Sequence, residues 1–186
     1  AASTLWAANY AIERLGFIQK VDQCYPGTVM VVGATGSIGK VNAKILCQYW
    51  DHIVIVAPRL FKLIELKNEL EKINPQCKIS ISNSADEFSH QCDLIITSTS
   101  AKGEKILDIS LVKPGCVICD VSRPFDIPIE DAILRPDILV IASGEVELPG
   151  DVQINFDMGL KGNTVYACLA ETALLAMEER YESFSM

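Results

Sequence analysis

The stretch "VMVVGATGSIGKV", residues 29–41, constrains the fold more than any other part of the chain. Its opening is apolar and β-branched with no polar alternation, which reads as a strand buried on both faces, as in a parallel sheet covered by helices. Gly33, Gly36 and Gly39 then recur three apart and lead into "SIGKVNAKILCQYW", with Ile38, Val41, Ile45 and Leu46 expected on one helical side. A glycine turn between a strand and a helix is how a dinucleotide-binding βαβ unit opens. The first glycine permits the tight turn, the second leaves bare backbone for a diphosphate, and the third lets the helix lie close to the strand with its free N–H groups aimed at the anion. Gly33, Ala34, Thr35, Gly36, Ser37, Ile38 and Gly39 are therefore the expected phosphate-binding residues, with hydroxyl contacts from Thr35 and Ser37. A nucleoside-triphosphate P-loop is excluded despite "GK" at 39–40. That motif needs glycine at position 34, which is Ala34, and a hydroxyl residue at position 41, which is Val41.

The same alternation continues along the chain. A helix is expected over 3–20, capped by Ser3 or Thr4 and stopped by Gly16. "HIVIVA" (52–57), "KISIS" (78–82), "CDLIITST" (92–99), "GCVICDVS" (115–122) and "DILVIAS" (137–143) read as further strands. A helix at 59–73 is ended by Asn74-Pro75, the segment between the fourth and fifth strands is too short for a long helix, and a long helix follows Asn163. The expected class is α/β, a doubly wound, mostly parallel sheet of the Rossmann type. It is flanked by an N-terminal linking helix (1–24) and a C-terminal hairpin and long helix (144–186), with a nucleotide-binding core at 26–143.

The end of the second strand selects the cofactor. An NAD site usually places a carboxylate there for the ribose 2′-hydroxyl, but this strand ends "VAPRL" and offers Arg59. A guanidinium fork suits a 2′-phosphate, so NADP(H) is the expected cofactor. In an open sheet the ligand lies beyond the carboxyl ends of the strands. That places Thr97, Ser98, Thr99 and Ser100 after the fourth strand, and Val121 in "DVSRPFD" after the fifth, beside the nicotinamide.

Composition narrows the remaining classes. The formal net charge of -8 argues against a nucleic-acid surface, and no apolar run approaches the roughly 20 residues of a membrane span. The opening does not read as a signal peptide, and the chain's 7 cysteines at irregular spacing read as reduced thiols in the cytoplasm. Cys116-x-x-Cys119 falls inside a strand, where residues three apart face opposite ways, so it reads as core; no metal site is expected. Cys168 is distinct. It falls in the first turns of the last helix if Asn163 or Thr164 caps it, where backbone amides can activate a thiol, and Glu171 shares its face as an auxiliary acid. Packing of a small side chain is the competing reading of Cys168.

"VMVVGATGSIGK", "IVIVAPR", "VSRPFDIP" and above all "VYACLAETALLAMEERYESFS" together resemble the long-chain acyl-carrier-protein reductases, which share a nucleotide-binding domain with shikimate dehydrogenase-like proteins. "GEVELPGDVQINFDMGLKG" does not match that family closely. The resemblance implies that Cys168 accepts an acyl group as a thioester and that NADPH then releases an aldehyde, with oxyanion donors sought among the backbone N–H groups of Ser98–Ala101. It also implies an N-terminal substrate domain preceding "STLWAANYAIERLG" in a longer chain, an acyl-thioester or other small-molecule substrate, and no nucleic-acid partner; a homodimer is compatible with it. Two alternatives stand beside this reading. One is direct hydride transfer of the shikimate-, quinate- or amino-acid-dehydrogenase kind, and the other is a non-catalytic NADP-binding module.

Overall fold

Strand β1 (Tyr25–Val32) shows why the sheet forms. Val29 and Val31 enter one buried apolar cluster while Met30 and Val32 enter another, so every residue of the run is buried and successive ones serve opposite faces. Around it lie β2 (Trp50–Val56), β3 (Lys78–Ser82), β4 (Leu94–Thr97), β5 (Val117–Asp120) and β6 (Leu139–Ala142). They pair in parallel in the order β3-β2-β1-β4-β5-β6. The computed structural model describes residues 1–101, 104–150, 152 and 154–181. Its architecture is the doubly wound α/β class that the alternation of strands and helices implies.

One face of the sheet is covered by α1 (Ala2–Leu15), α2 (Ser37–Leu46) and α3 (Leu60–Ile73), which bury Leu5, Ala8, Ile12, Ala43, Leu46, Leu63 and Leu70 against it. The other is covered by α4 (Asp86–Ser89), a 3-10 turn (Ile109–Leu111) and the loop that buries Ile127, just before α5 (Ile129–Ile133). Glu69 of α3 holds both Lys40 (2.7 Å) and Lys44 (2.9 Å) of α2, and these ammonium groups keep its carboxyl below the ordinary range. Lys40, the lysine of the "GK" pair, is thus committed to a neighbouring helix.

Several boundaries differ from the sequence expectations for identifiable reasons. Gly16 ends α1 in a left-handed conformation (φ 67°), but neither Ser3 nor Thr4 caps it; Ala1 stands at the cap and Thr4 is buried, accepting the Ser143 hydroxyl at 3.0 Å. The buried face of α2 is Gly39, Asn42, Ala43 and Leu46, whereas Ile38 is exposed. Close approach through a glycine has rotated the helix away from its most apolar stripe. Asn163 and Thr164 do not cap the last helix. Thr164–Tyr166 forms β8, antiparallel to β7 (Glu145–Glu147), and α6 (Ala167–Met177) starts after it. The part of that helix expected over 182–184 lies outside the described residues.

A polar row crosses the buried sheet. The His52 ring nitrogens meet the hydroxyls of Thr28 (3.2 Å) and Ser80 (2.9 Å), which satisfies either neutral tautomer because a hydroxyl donates or accepts. Burial, aided by Lys78, lowers the His52 pKa from 6.5. The unfolded chain then takes up a proton at higher pH than the folded one, so stability is full above pH 6.5 and falls as pH drops towards the folded value. His52→Gln should flatten the urea-unfolding free energy across this window, whereas an unchanged slope would assign the acid sensitivity elsewhere.

Candidate functional site: a crevice at the switch point of the sheet

The chain leaves β1 for β2 and β3 on one side, then crosses to β4 on the other, so the carboxyl ends of β1 and β4 diverge. A crevice of about 550 Å³ opens there, lined by Gly33, Thr35 and Gly36 from the glycine turn, Arg59 after β2, and Ser98–Ala101 after β4.

Each glycine has a separate geometric reason. Gly33 adopts φ +79°, and a Cβ on it would stand 2.5 Å from the Ser98 carbonyl oxygen. A Cβ on Gly39 would overlap the Gly33 carbonyl, so this glycine sets the contact between α2 and β1. Gly36 differs, because its Cβ would meet only the Gly33 oxygen, at 3.3 Å, and otherwise project into open space. A side chain at 36 would fill the cradle that a diphosphate needs. The amides of Thr35, Ser37 and Ile38 have no acceptor among the described residues, and α2 has no side-chain cap. Ordinary helix-start chemistry therefore leaves donors for an anion. The residues present fit the diphosphate of a dinucleotide.

Not every predicted residue lines this space. Ala34 is buried in the core, its amide donating to the Val56 carbonyl at 3.1 Å, and Ile38 faces solvent outside the crevice lining. Thr97 is fully buried beneath the strand end, and Val121 packs towards Gly144. Sequence reasoning missed Asn83–Asp86, after β3, and Glu104, Lys105 and Ile106, which complete the crevice. Strand order would have located the first group, since β3 is separated from β1 only by β2.

The loops after β4 and β5 are held by a compact polar network. Asp126 accepts the Thr99 hydroxyl (2.5 Å) and the Ser122 hydroxyl (2.6 Å), while the Ser122 oxygen accepts the Thr99 amide (2.9 Å). Beneath it, buried Asp120 accepts the amides of Ser122 (3.0 Å) and Ile127 (2.8 Å). Burial pushes the Asp120 carboxyl above its ordinary value against the pull of those amides. Of the four amides proposed as oxyanion donors, three are already occupied. Ser98 donates to Val32, Thr99 to Ser122, and Ala101 to the Thr99 hydroxyl. Among the described residues, the Ser100 amide remains unoccupied.

The cysteines divide sharply. Cys116 and Cys119 are fully buried in the two clusters on opposite faces of the sheet. Burial pushes the thiols of Cys77, Cys92 and Cys119 up to about 12, that of Cys47 to about 11, and that of Cys116 well above the usual range. Cys24, partly covered and donating to Asp51 at 3.1 Å, is pushed up to about 11, by burial first and then by that carboxylate. Cys168 is exposed in the first turn of α6. Glu171 is exposed one turn further on, and neither residue lines the crevice. No group of three or more His, Cys, Asp or Glu able to hold a metal occurs among the described residues. No helix among them is long and apolar enough to cross a membrane.

Residues 28–145 match the semialdehyde dehydrogenase NAD-binding domain family. The chain belongs to this family and is a nicotinamide-dinucleotide-binding Rossmann domain of the oxidoreductase kind. A curated relative, aminotransferase PigE of Serratia sp. (strain ATCC 39006), is 31% identical over 112 residues, covering 59% of this chain but 13% of that protein. A dipicolinate synthase polypeptide from Bacillus halodurans superposes with a TM-score of 0.57 at 14% identity over 75% of this chain and 44% of the other. Quinate dehydrogenase of Corynebacterium glutamicum, solved with NAD, gives 0.54 at 13% over 74% of this chain and 50% of the other. At such identities these two structures establish the fold.

Two outcomes follow from the geometry. Gly39→Ala should destabilise the fold by about 1–3 kcal/mol, because α2 must move off β1. Gly36→Ala should leave stability nearly unchanged and weaken dinucleotide binding at least about tenfold. Equal effects of the two in thermal melts and cofactor titrations would refute this division of roles. Native thiol titration at neutral pH should show one fast-reacting cysteine, lost in Cys168→Ser; a fast phase surviving that change would place the reactive thiol elsewhere.

Proposed function

We propose that this chain is the NADP(H)-binding domain of an enzyme that reduces an acyl thioester to an aldehyde, with Cys168 as the acyl acceptor. The observation that carries the reading is the placement of the one exposed thiol among the described cysteines. The Ala167 amide donates to the Gly144 carbonyl at 2.8 Å, which starts α6 just beyond the carboxyl end of β6. The crevice opens at that same edge of the sheet, and β6 stands two strands from β4, roughly 10 Å at ordinary strand spacing. The family name also fits, since a semialdehyde dehydrogenase works between the aldehyde and acyl oxidation levels.

The Cys168 sulfur attacks the acyl carbon and expels the carrier thiol, which takes the proton that Cys168 gives up, so the acyl group is held as an enzyme thioester. A bound dihydronicotinamide supplies hydride chemistry. When the acyl group departs as aldehyde, the sulfur leaves as thiolate. The free Ser100 amide is the available backbone donor for the transient oxyanion in the 98–101 loop. The Asp126 network fixes that loop, so the donor is preorganised.

Preference for NADP(H) rests on Arg59. It stands at the extended N-cap of α3, exposed at the rim of the crevice, and no carboxylate ends β2. Side-by-side titrations should show NADPH favoured over NADH by about ten- to a hundredfold, a preference that Arg59→Ala removes. Equal affinities in the wild type would defeat the 2′-phosphate assignment. The full-length protein, given a long-chain acyl thioester and NADPH, should form aldehyde, and Cys168→Ala should abolish it. Undiminished turnover in that variant would favour direct hydride transfer without an acyl-enzyme.

A further inference from the structure

We propose that Arg123 is a positioning residue for the Cys168 thiol, joining the helix that carries it to the loop beside the nicotinamide. This inference rests on the thiol reading above and adds the device that holds the thiol in place.

Helix α6 cannot place itself. None of its residues is buried, and its main contacts are with β7 and β8. Where Cys168 stands is therefore decided by where the β7–β8 hairpin is held. Arg123 holds that hairpin from the β5 loop. Its Nη2 donates to the Ser143 carbonyl (2.9 Å) and to Glu145 Oε1 (2.5 Å), and its Nη1 donates to the Ser122 carbonyl (2.8 Å). The guanidinium lies over the Phe125 ring at 4.2 Å and over the Tyr166 ring at 5.5 Å. Tyr166 is the N-cap of α6, two residues before the thiol. Only a planar guanidinium can make a directional fork to the hairpin while presenting faces to two rings; lysine would keep the charge and lose the geometry.

The other side of the same loop points to the crevice. Ser122, adjacent in sequence, accepts the Thr99 amide at 2.9 Å and donates to Asp126. One short segment thus grips the crevice wall through Ser122 and the thiol helix through Arg123. A thiol on an otherwise undocked helix would sample many positions, and orientation losses of that kind reduce turnover more than cofactor affinity.

The test uses the full-length protein with Arg123→Met, Arg123→Lys and Glu145→Gln, read by amide hydrogen exchange, NADPH titration and aldehyde formation. Arg123→Met should speed exchange of the 165–170 amides by about tenfold or more and leave β1–β5 protected. It should lower kcat by about tenfold or more with NADPH affinity unchanged, and Arg123→Lys should rescue only part of the loss. Glu145→Gln, which spares the arginine, should give the same pattern more weakly and decides the matter if Arg123→Met does not fold. Unchanged exchange, unchanged turnover, or losses matched by equal losses of NADPH binding would overturn the proposal. Cys168→Ala assayed alongside separates the two ideas. An inactive Cys168→Ala with a fully active Arg123→Met removes the latch alone, whereas an active Cys168→Ala removes the thiol reading beneath it.

Discussion

The contact between α2 and β1 at Gly39 is the constraint from which the rest of the site follows. With the Gly33 carbonyl occupying the space of a Gly39 side chain, the helix comes down on the strand at a distance no other residue allows. That closeness turns α2 so that Asn42 and Ala43 face the core and Ile38 does not. It also aims the uncapped first turn across the end of β1, where the crevice opens. Anion affinity here is thus a by-product of packing. The amides that helix geometry leaves without acceptors are delivered to the place where the sheet divides.

The crevice has two ends with different physics. At the α2 end the contacts are backbone amides and an exposed guanidinium at the rim, suited to charge that is already present on a ligand. At the β4–β5 end the groups are neutral hydroxyls and amides organised by two carboxylates, Asp120 and Asp126, neither of which spends its acceptors on solvent alone. Asp120 lies buried, and burial raises its pKa against the pull of the amides it accepts from Ser122 and Ile127. Such a wall holds its hydroxyls and amides in fixed directions at this end of the crevice.

The fold is readable in the sequence because its signals are local. Runs such as "VMVV" and "HIVIV" state their own burial, and Gly16 and Asn74-Pro75 end helices for reasons internal to a few residues. Features that depend on tertiary information are less legible. Ile38 looks like a core residue by period alone, and only the close approach of Gly39 explains why it is not. Thr164–Tyr166 reads as helix because the pattern beyond it is helical, yet pairing with Glu145–Glu147 takes it into a strand. The contribution of Asn83–Asp86 to the crevice depends on the order of strands, and the role of Arg123 depends on three carbonyl and carboxylate partners, two of them twenty or more residues away.

That distribution explains why cysteine spacing is a poor guide and cysteine environment a good one. Burial raises the pKa of six thiols, and where a carboxylate lies near, as Asp51 does beside Cys24, it adds to the effect. The seventh, Cys168, stays exposed because α6 is not part of the packing that makes the sheet. A helix with little apolar contact to the core contributes little to folding stability, so its tether must be polar and specific. The Arg123 cluster has that character, with directional bonds to the hairpin and ring faces rather than bulk burial. A tether of this type can fix direction without rigidifying the whole element.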